Sequence, residues 1–148
     1  MSDQTGGTYT LVVELPAHAA LEVGALGNCQ FDAGWYAYVG SALGSGGFSR
    51  IERHHELAAG ERDTRHWHID YLLGHSDSRL AGVVKTSAVD GECAVAGALD
   101  NPAVAGFGCS DCSCETHLFF APTRDQLFTA VEDAHDPLSG ATTVDQFR

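Results

Sequence analysis

Two tyrosines on a predicted strand, followed by arginines and histidines on a predicted helix, are the residues of this chain best suited to bind a phosphate. Residues 34–41 read GWYAYVGS and residues 50–55 read RIERHH. Because side chains alternate along a strand, Tyr36 and Tyr38 should share one face, away from Trp35. One face of the strand is then free to pack, and the other to carry chemistry.

Arg50 and His54 are four positions apart, so they lie on the same face of the helix. A guanidinium and an imidazole at a helix start, where the helix dipole also favours an anion, suit a phosphate. Gly40 and the three glycines of residues 41–47 allow close approach of the backbone. Taken singly, these residues fit ordinary strand aromatics and a solvated helix face better than they fit a phosphate site. The inference depends on their combination.

The surrounding pattern predicts a mixed α/β (α+β) domain with a small three-stranded antiparallel sheet flanked by helices. The three strands are expected at residues 9–15, 21–25 and 35–39. Helices should be opened by capping boxes at Ser49 with Glu52 and at Thr123 with Gln126. The remaining predicted elements are helices at 50–59, 67–73, 92–99 and 123–134, and strands at 80–85 and 117–121.

The length of 148 residues predicts one domain, over residues 1–135, followed by a polar tail at 136–148 that should fray. The chain has no apolar run of roughly 18 residues and no signal-peptide pattern, so we expect a cytoplasmic protein without a membrane partner.

Charge excludes one class of partner interaction. Eight basic residues stand against 20 acidic ones, the net charge is -12, and Lys85 is the only lysine. Such a chain should not coat nucleic acid non-specifically at low salt, although DNA is not excluded as a substrate. The acid-rich, lysine-poor composition is typical of extreme halophiles and predicts a haloarchaeal source and a need for high salt.

Several short segments, taken in order, resemble the GIY-YIG nuclease superfamily, and within it the subfamily called domain of unknown function 123. That subfamily occurs alone or attached to endonuclease III-like repair proteins. The resemblance runs from Gly7 to about Phe120. Its segments are GTY at 7–9, YVGSA at 38–42, RIERH at 50–54, HWHIDYLL at 66–73, EC at 92–93, GFG at 106–108, DC at 111–112, Cys114 and HLF at 117–119.

The resemblance implies a GIY-YIG-like fold with an extra C-terminal strand and helix. It also implies a metal-dependent DNA endonuclease that acts in repair and has a repair-protein partner. It implies a catalytic site with two motif tyrosines, a motif glycine, a phosphate-binding arginine and a histidine one helical turn further, which match Tyr9, Tyr38, Gly40, Arg50 and His54. Tyr9 or His54 would assist deprotonation of the attacking water.

The same resemblance implies a glutamate that holds Mg²⁺ or Mn²⁺. Glu92 matches it by order, and Asp70 is the alternative carboxylate. Tyr9 and Tyr38 lie 29 positions apart, further than in the compact motif, which indicates an extra strand between them. The other reading is a non-catalytic module on the same fold that binds nucleic acid or protein.

A second candidate site lies in the segment with Cys109, Cys112, Cys114 and His117, which places four possible zinc ligands within nine residues. Small buried thiols in a glycine-rich turn are the competing interpretation. The pairs His54 with Glu56 and Cys109 with Cys112 also imitate parts of zinc deaminases, a distant alternative.

Overall fold

A central antiparallel sheet positions the candidate residues. The computed structural model describes residues 6–42, 47–61, 68–75, 77–104, 107 and 116–147. Its strands are β1 (Gly7–Leu15), β2 (Ala19–Glu22), β3 (Asn28–Phe31), β4 (Gly34–Ser41), β5 (Arg79–Ser87), β6 (Leu118–Ala121) and β7 (Thr142–Gln146). Its helices are α1 (Ser49–Ala58), α2 (His68–Leu73), α3 (Glu92–Ala98) and α4 (Arg124–His135), with a 3₁₀ turn at Gly24–Leu26.

The main sheet has five strands in the order β6-β4-β1-β5-β7, and all neighbours are antiparallel. The predicted class is confirmed, but the predicted three-stranded sheet is too small, because β5, β6 and β7 join β1 and β4 to make five strands. The strand expected at 21–25 does not join this sheet. Its residues form β2 and the 3₁₀ turn, and β2 pairs only with β3 in a separate hairpin.

Side chains on the two faces of the sheet pack into two different cores. Tyr9, Leu11 and Tyr38 belong to the core beneath α1, α2 and the β2–β3 hairpin. Ala37 and Val39 belong to the core beneath α3 and α4. The predicted alternation along β4 is therefore confirmed, and the two motif tyrosines face the same helix, α1.

The two predicted capping boxes have different outcomes. Thr123 caps α4 as expected: its Oγ1 accepts from the backbone N–H of Gln126 at 3.3 Å and donates to Oε1 of Gln126 at 3.2 Å. At α1 the prediction is wrong, because Phe48 occupies the N-cap position, Ser49 is already helical, and no side chain caps the helix.

The C-terminal residues expected to fray instead form β7 against β5. The backbone N–H of Phe147 donates to the carbonyl of Ala81 at 2.7 Å, which extends the pairing beyond the strand. Side chains of all five β7 residues are exposed, so the sequence lacks the apolar alternation that would have predicted a strand. Among the helices that the structure describes, none is long and apolar enough to span a membrane.

Candidate functional site

A buried hydrogen bond joins two of the predicted site residues. The hydroxyl of Tyr9, on β1, lies 2.8 Å from Nε2 of His54, on α1. Tyr9 is 1% exposed and His54 is fully buried. The strand and the helix therefore meet through a polar pair that solvent does not reach.

The protonation states of this pair follow from its surroundings. Burial raises the pKa of Tyr9 well above that of free tyrosine; nearby Tyr38 and Glu92 add to the increase, and Arg50 opposes it. Burial lowers the pKa of His54 to about 4. At neutral pH a neutral phenol thus faces a neutral imidazole, and Tyr9 donates to Nε2 in the tautomer of His54 that carries its ring proton on Nδ1.

Gly40 makes room for the Tyr9 ring. The two residues are directly opposite each other in the β1–β4 ladder. A Cβ at position 40 would lie only 2.5 Å from Cζ of Tyr9 and 2.6 Å from its hydroxyl oxygen. The ring lies across the glycine backbone, which gives a physical reason for glycine at this position.

Tyr38 completes the aromatic part of the site. It pairs with Leu11 across the same ladder, so it shares a face with Tyr9. Its ring centroid lies 6.4 Å from that of His54. Both motif tyrosines therefore contact the imidazole side of α1.

Arg50 connects the start of α1 to the end of β4. Its Nη1 donates to the carbonyl of Ser41 at 2.6 Å, and it also hydrogen-bonds the side chain of Tyr9. The residue is half-buried. Its guanidinium carries the positive charge and the planar set of N–H donors that suit a phosphate oxygen.

Glu92 reaches the same end of the sheet from the opposite layer. It is the first residue of α3, and the preceding Gly91 donates its N–H to Oγ1 of Thr8 at 2.7 Å, which fixes the helix start beside β1. The Glu92 carboxylate is 25% exposed and lies 3.1 Å from Nδ1 of buried His117. It is close enough to Tyr9 to raise the pKa of that phenol.

Asp70, the alternative carboxylate, has a different environment. Both of its oxygens accept hydrogen bonds from Arg53 at 2.9 Å, and its side chain is fully buried. This bidentate pair ties α1 to α2. Its geometry is that of a structural ion pair, which leaves Glu92 as the more accessible of the two carboxylates.

The zinc predictions fall mostly outside the described part of the chain. Cys109, Cys112 and Cys114 lie outside the described residues, while His117 pairs with Glu92. Within the described ranges, no three His, Cys, Asp or Glu residues are grouped to hold a metal ion. His54, the histidine of the deaminase-like pattern, is hydrogen-bonded to Tyr9 through Nε2.

Sequence reasoning assigned no role to Phe107 or Lys85. Phe107 lies in the segment predicted as a loop, yet it is fully buried with its ring centroid 6.1 Å from that of Tyr38. Lys85 is directly opposite Tyr9 in the β1–β5 ladder. The alternation of the predicted strand at 80–85 could have placed Lys85, whereas nothing local indicates the burial of Phe107.

These observations define a class of protein. It is a mixed α/β domain that carries a buried Tyr–His pair, an arginine and a carboxylate at one end of its sheet. The family described as domain of unknown function DUF123 matches residues 8–139, and the chain belongs to this family. Neither the curated proteins nor the solved structures contain a match to it.

Proposed function

We propose that this DUF123 domain is a GIY-YIG nuclease, a divalent-metal-dependent endonuclease that hydrolyses phosphodiester bonds of DNA, with repair as its setting. The observation that carries the proposal is the cluster of Tyr9, Tyr38, Arg50 and His54 between the sheet and α1, with Glu92 at the start of α3 near enough to raise the pKa of Tyr9. The acid-rich composition supports a haloarchaeal source.

Proton movement follows the Tyr9–His54 hydrogen bond. The attacking water gives a proton to the Tyr9 oxygen while Tyr9 passes its own proton to Nε2 of His54, so no free tyrosinate is required. Burial disfavours the resulting imidazolium, as the lowered pKa of His54 indicates. The negative charge of a phosphate bound beside the pair would offset part of that cost.

Arg50 and Glu92 supply the charges of the proposed site. Arg50 supplies a half-buried positive charge beside Tyr9 that binds a non-bridging phosphate oxygen. Glu92 would hold the divalent metal, and a single partly exposed carboxylate fits Mg²⁺ or Mn²⁺, which take their other ligands from water and substrate phosphate. The metal, when bound, stabilises charge on the leaving oxygen.

A non-catalytic module that binds nucleic acid or protein is the second candidate. Two observations favour it: Tyr9 exposes only 1% of its surface, and Glu92 is paired with His117. Such a module would keep the phosphate contact of Arg50 without metal-dependent hydrolysis.

Cleavage of labelled single-stranded, duplex and branched DNA in molar KCl with Mg²⁺, Mn²⁺ or EDTA tests the proposal. We expect metal-dependent cleavage that disappears in Arg50→Ala and Glu92→Gln. The control is Arg79→Ala, which removes an arginine paired with Glu14 at the other end of β5 and should leave cleavage intact. Binding without cleavage in any metal would favour the module.

A further inference from the structure

The only lysine of this chain stands beside the candidate site. Lys85 on β5 is the cross-strand partner of Tyr9 on β1. Directly opposed residues of an antiparallel pair project to the same face, with Cβ atoms about 4.5–5.5 Å apart. Because β1 lies between β4 and β5, Lys85 flanks Tyr9 on one side while Arg50, bonded to Ser41 of β4, flanks it on the other.

The Lys85 ammonium is held by an aromatic ring rather than by a carboxylate. Its Nζ lies 5.2 Å from the ring centroid of Phe48, the residue at which α1 begins. In a chain with 20 acidic residues, no carboxylate among the residues that the structure describes forms a salt bridge with Lys85. By contrast, Arg53 and Arg79 both pair with carboxylates.

Accessibility separates the charged groups of the site from its buried pair. Tyr9 and His54 are buried, whereas Lys85 and Arg50 are half-buried. A phosphate that approaches this end of the sheet therefore meets the two cations before it meets the tyrosine. In a protein of net charge -12, long-range repulsion opposes a polyanion, so local cations must supply the attraction.

We propose that Lys85 contacts a backbone phosphate of the nucleic acid at the Tyr9 site, and that with Arg50 it forms a two-cation clamp across β1. The inference rests on the proposed function because it assigns a substrate contact to the same site. A lysine acts there as a point charge on a flexible stem, so it contributes binding energy and its salt dependence rather than a fixed bidentate geometry.

Counterion release provides a measurement specific to this role. Each phosphate neutralised by a cation contributes about 0.9 to the slope of log binding constant against log salt for duplex DNA, and about 0.7 for a single strand. Binding of a fluorescent oligonucleotide in EDTA, measured by anisotropy at KCl concentrations where circular dichroism shows each variant folded, gives this slope without cleavage.

We expect Lys85→Met to weaken oligonucleotide binding several-fold and to reduce the slope by about 0.7–0.9. Lys85→Arg should keep the wild-type slope. The matched control is Arg124→Met, because Arg124 also lies over an aromatic ring, Phe128 at 4.8 Å, but on the face of the sheet covered by α3 and α4. It should bind with the wild-type slope.

Three results would overturn the inference. An unchanged slope in Lys85→Met, with only a lower unfolding temperature, would mean that the lysine merely stabilises Phe48; metal-dependent cleavage by the wild type would then leave the proposed function intact. If Arg124→Met lost as much of the salt slope as Lys85→Met, the loss would be an effect of net charge and not of a contact at Lys85. A wild-type protein that neither binds nor cleaves DNA would overturn both proposals.

Discussion

The hydroxyl of Tyr9 and Nε2 of His54 lie 2.8 Å apart in a part of the protein closed to solvent, and the environment of each group keeps it uncharged at neutral pH. Tyr9 keeps its proton because burial raises its pKa, and His54 stays neutral because burial lowers its pKa to about 4. The pair is both a tertiary contact between β1 and α1 and the proposed path for a proton.

Tyr9→Phe should therefore impair both stability and cleavage. The substitution leaves Nε2 of His54 buried without its hydrogen-bond partner, which costs about 1–3 kcal/mol. We expect a lower urea midpoint and no detectable DNA cleavage under conditions where the variant is folded. Tyr36→Phe is the matched control, since its hydroxyl donates to the carbonyl of Asp32 on the same face of the sheet. It should lose stability but cleave DNA; loss of cleavage in both variants would contradict the assigned role.

Gly40→Ala tests the packing that places the Tyr9 ring. The new Cβ would lie 2.5 Å from Cζ of Tyr9, so the ring must move and its bond to His54 must change. We expect a loss of stability of about 1–3 kcal/mol and weak or absent cleavage. In Gly97→Ala, on α3, the new Cβ meets nothing within 4 Å, and helix propensity should stabilise the protein by about 0.5–1 kcal/mol. Equal effects of the two substitutions would refute the packing argument.

Local patterns predicted the strands β1, β4, β5 and β6 and the four helices that the structure describes, because each carries strong apolar periodicity or a clear stop signal. They did not predict β7, whose side chains are all exposed, and they misread Ser49, where hydroxyl chemistry fitted a cap that the backbone places at Phe48. A strand that owes its existence to pairing with β5 leaves no local signature.

The members of the candidate site were predicted from a resemblance in residue order, and their mutual geometry was not. Glu92 and His117 are 25 positions apart, and their 3.1 Å contact depends on how α3 and β6 pack on β4. The burial of Tyr9, which sets the direction of its pKa shift, is likewise a property of the packed layers. Neither the Glu92–His117 distance nor the burial of Tyr9 can be predicted from the spacing of residues in the sequence.

Substitution of the two candidate carboxylates should separate metal binding from stability. Glu92→Gln should abolish Mn²⁺ binding and change the urea midpoint little. Mn²⁺ binding is measured by electron paramagnetic resonance in the presence of an oligonucleotide. Asp70→Asn should retain Mn²⁺ binding but lose about 3–5 kcal/mol of stability, because it leaves Arg53 without its charged partner in a buried ion pair. The reverse pattern would make Asp70 the metal ligand.

His135 predicts a pH dependence of stability that is independent of the candidate site. Its Nε2 and Nδ1 lie 2.9 Å from the hydroxyls of Thr10 and Thr86, so it joins α4 to β1 and β5. Burial lowers the pKa of His135 to about 4, against about 6.5 in an unfolded chain. Above pH ~6.5 neither state binds the proton; between ~6.5 and ~4 only the unfolded state does, so the free energy of unfolding falls as pH falls.

Over that window, the titration of His135 should lower the free energy of unfolding by about 1.4 kcal/mol for each unit by which the pH falls, and by about 3 kcal/mol in total. His54, whose pKa is lowered to a similar value, adds a comparable slope. Urea unfolding at several pH values should therefore show that the free energy of unfolding falls less steeply with decreasing pH in His135→Gln than in the wild type. The difference in slope should correspond to the uptake of about one proton on unfolding. An identical slope in the two proteins would show that the imidazole titrates normally in the folded state.

The net charge of -12 predicts that stability depends on salt. At ~0.1 M salt the Debye length is about 10 Å, so neighbouring surface carboxylates repel one another, whereas at ~1 M it falls to about 3 Å. The last turns of α4 carry the exposed residues Glu132 and Asp133, where negative charge also opposes the helix dipole. Replacing both with lysine should raise the thermal midpoint at low KCl and change it little in molar KCl, because screening already removes the repulsion there. A wild-type midpoint that stays constant across this range of KCl would show that repulsion between surface carboxylates does not limit the fold, and would also remove the main physical argument for a salt-adapted protein.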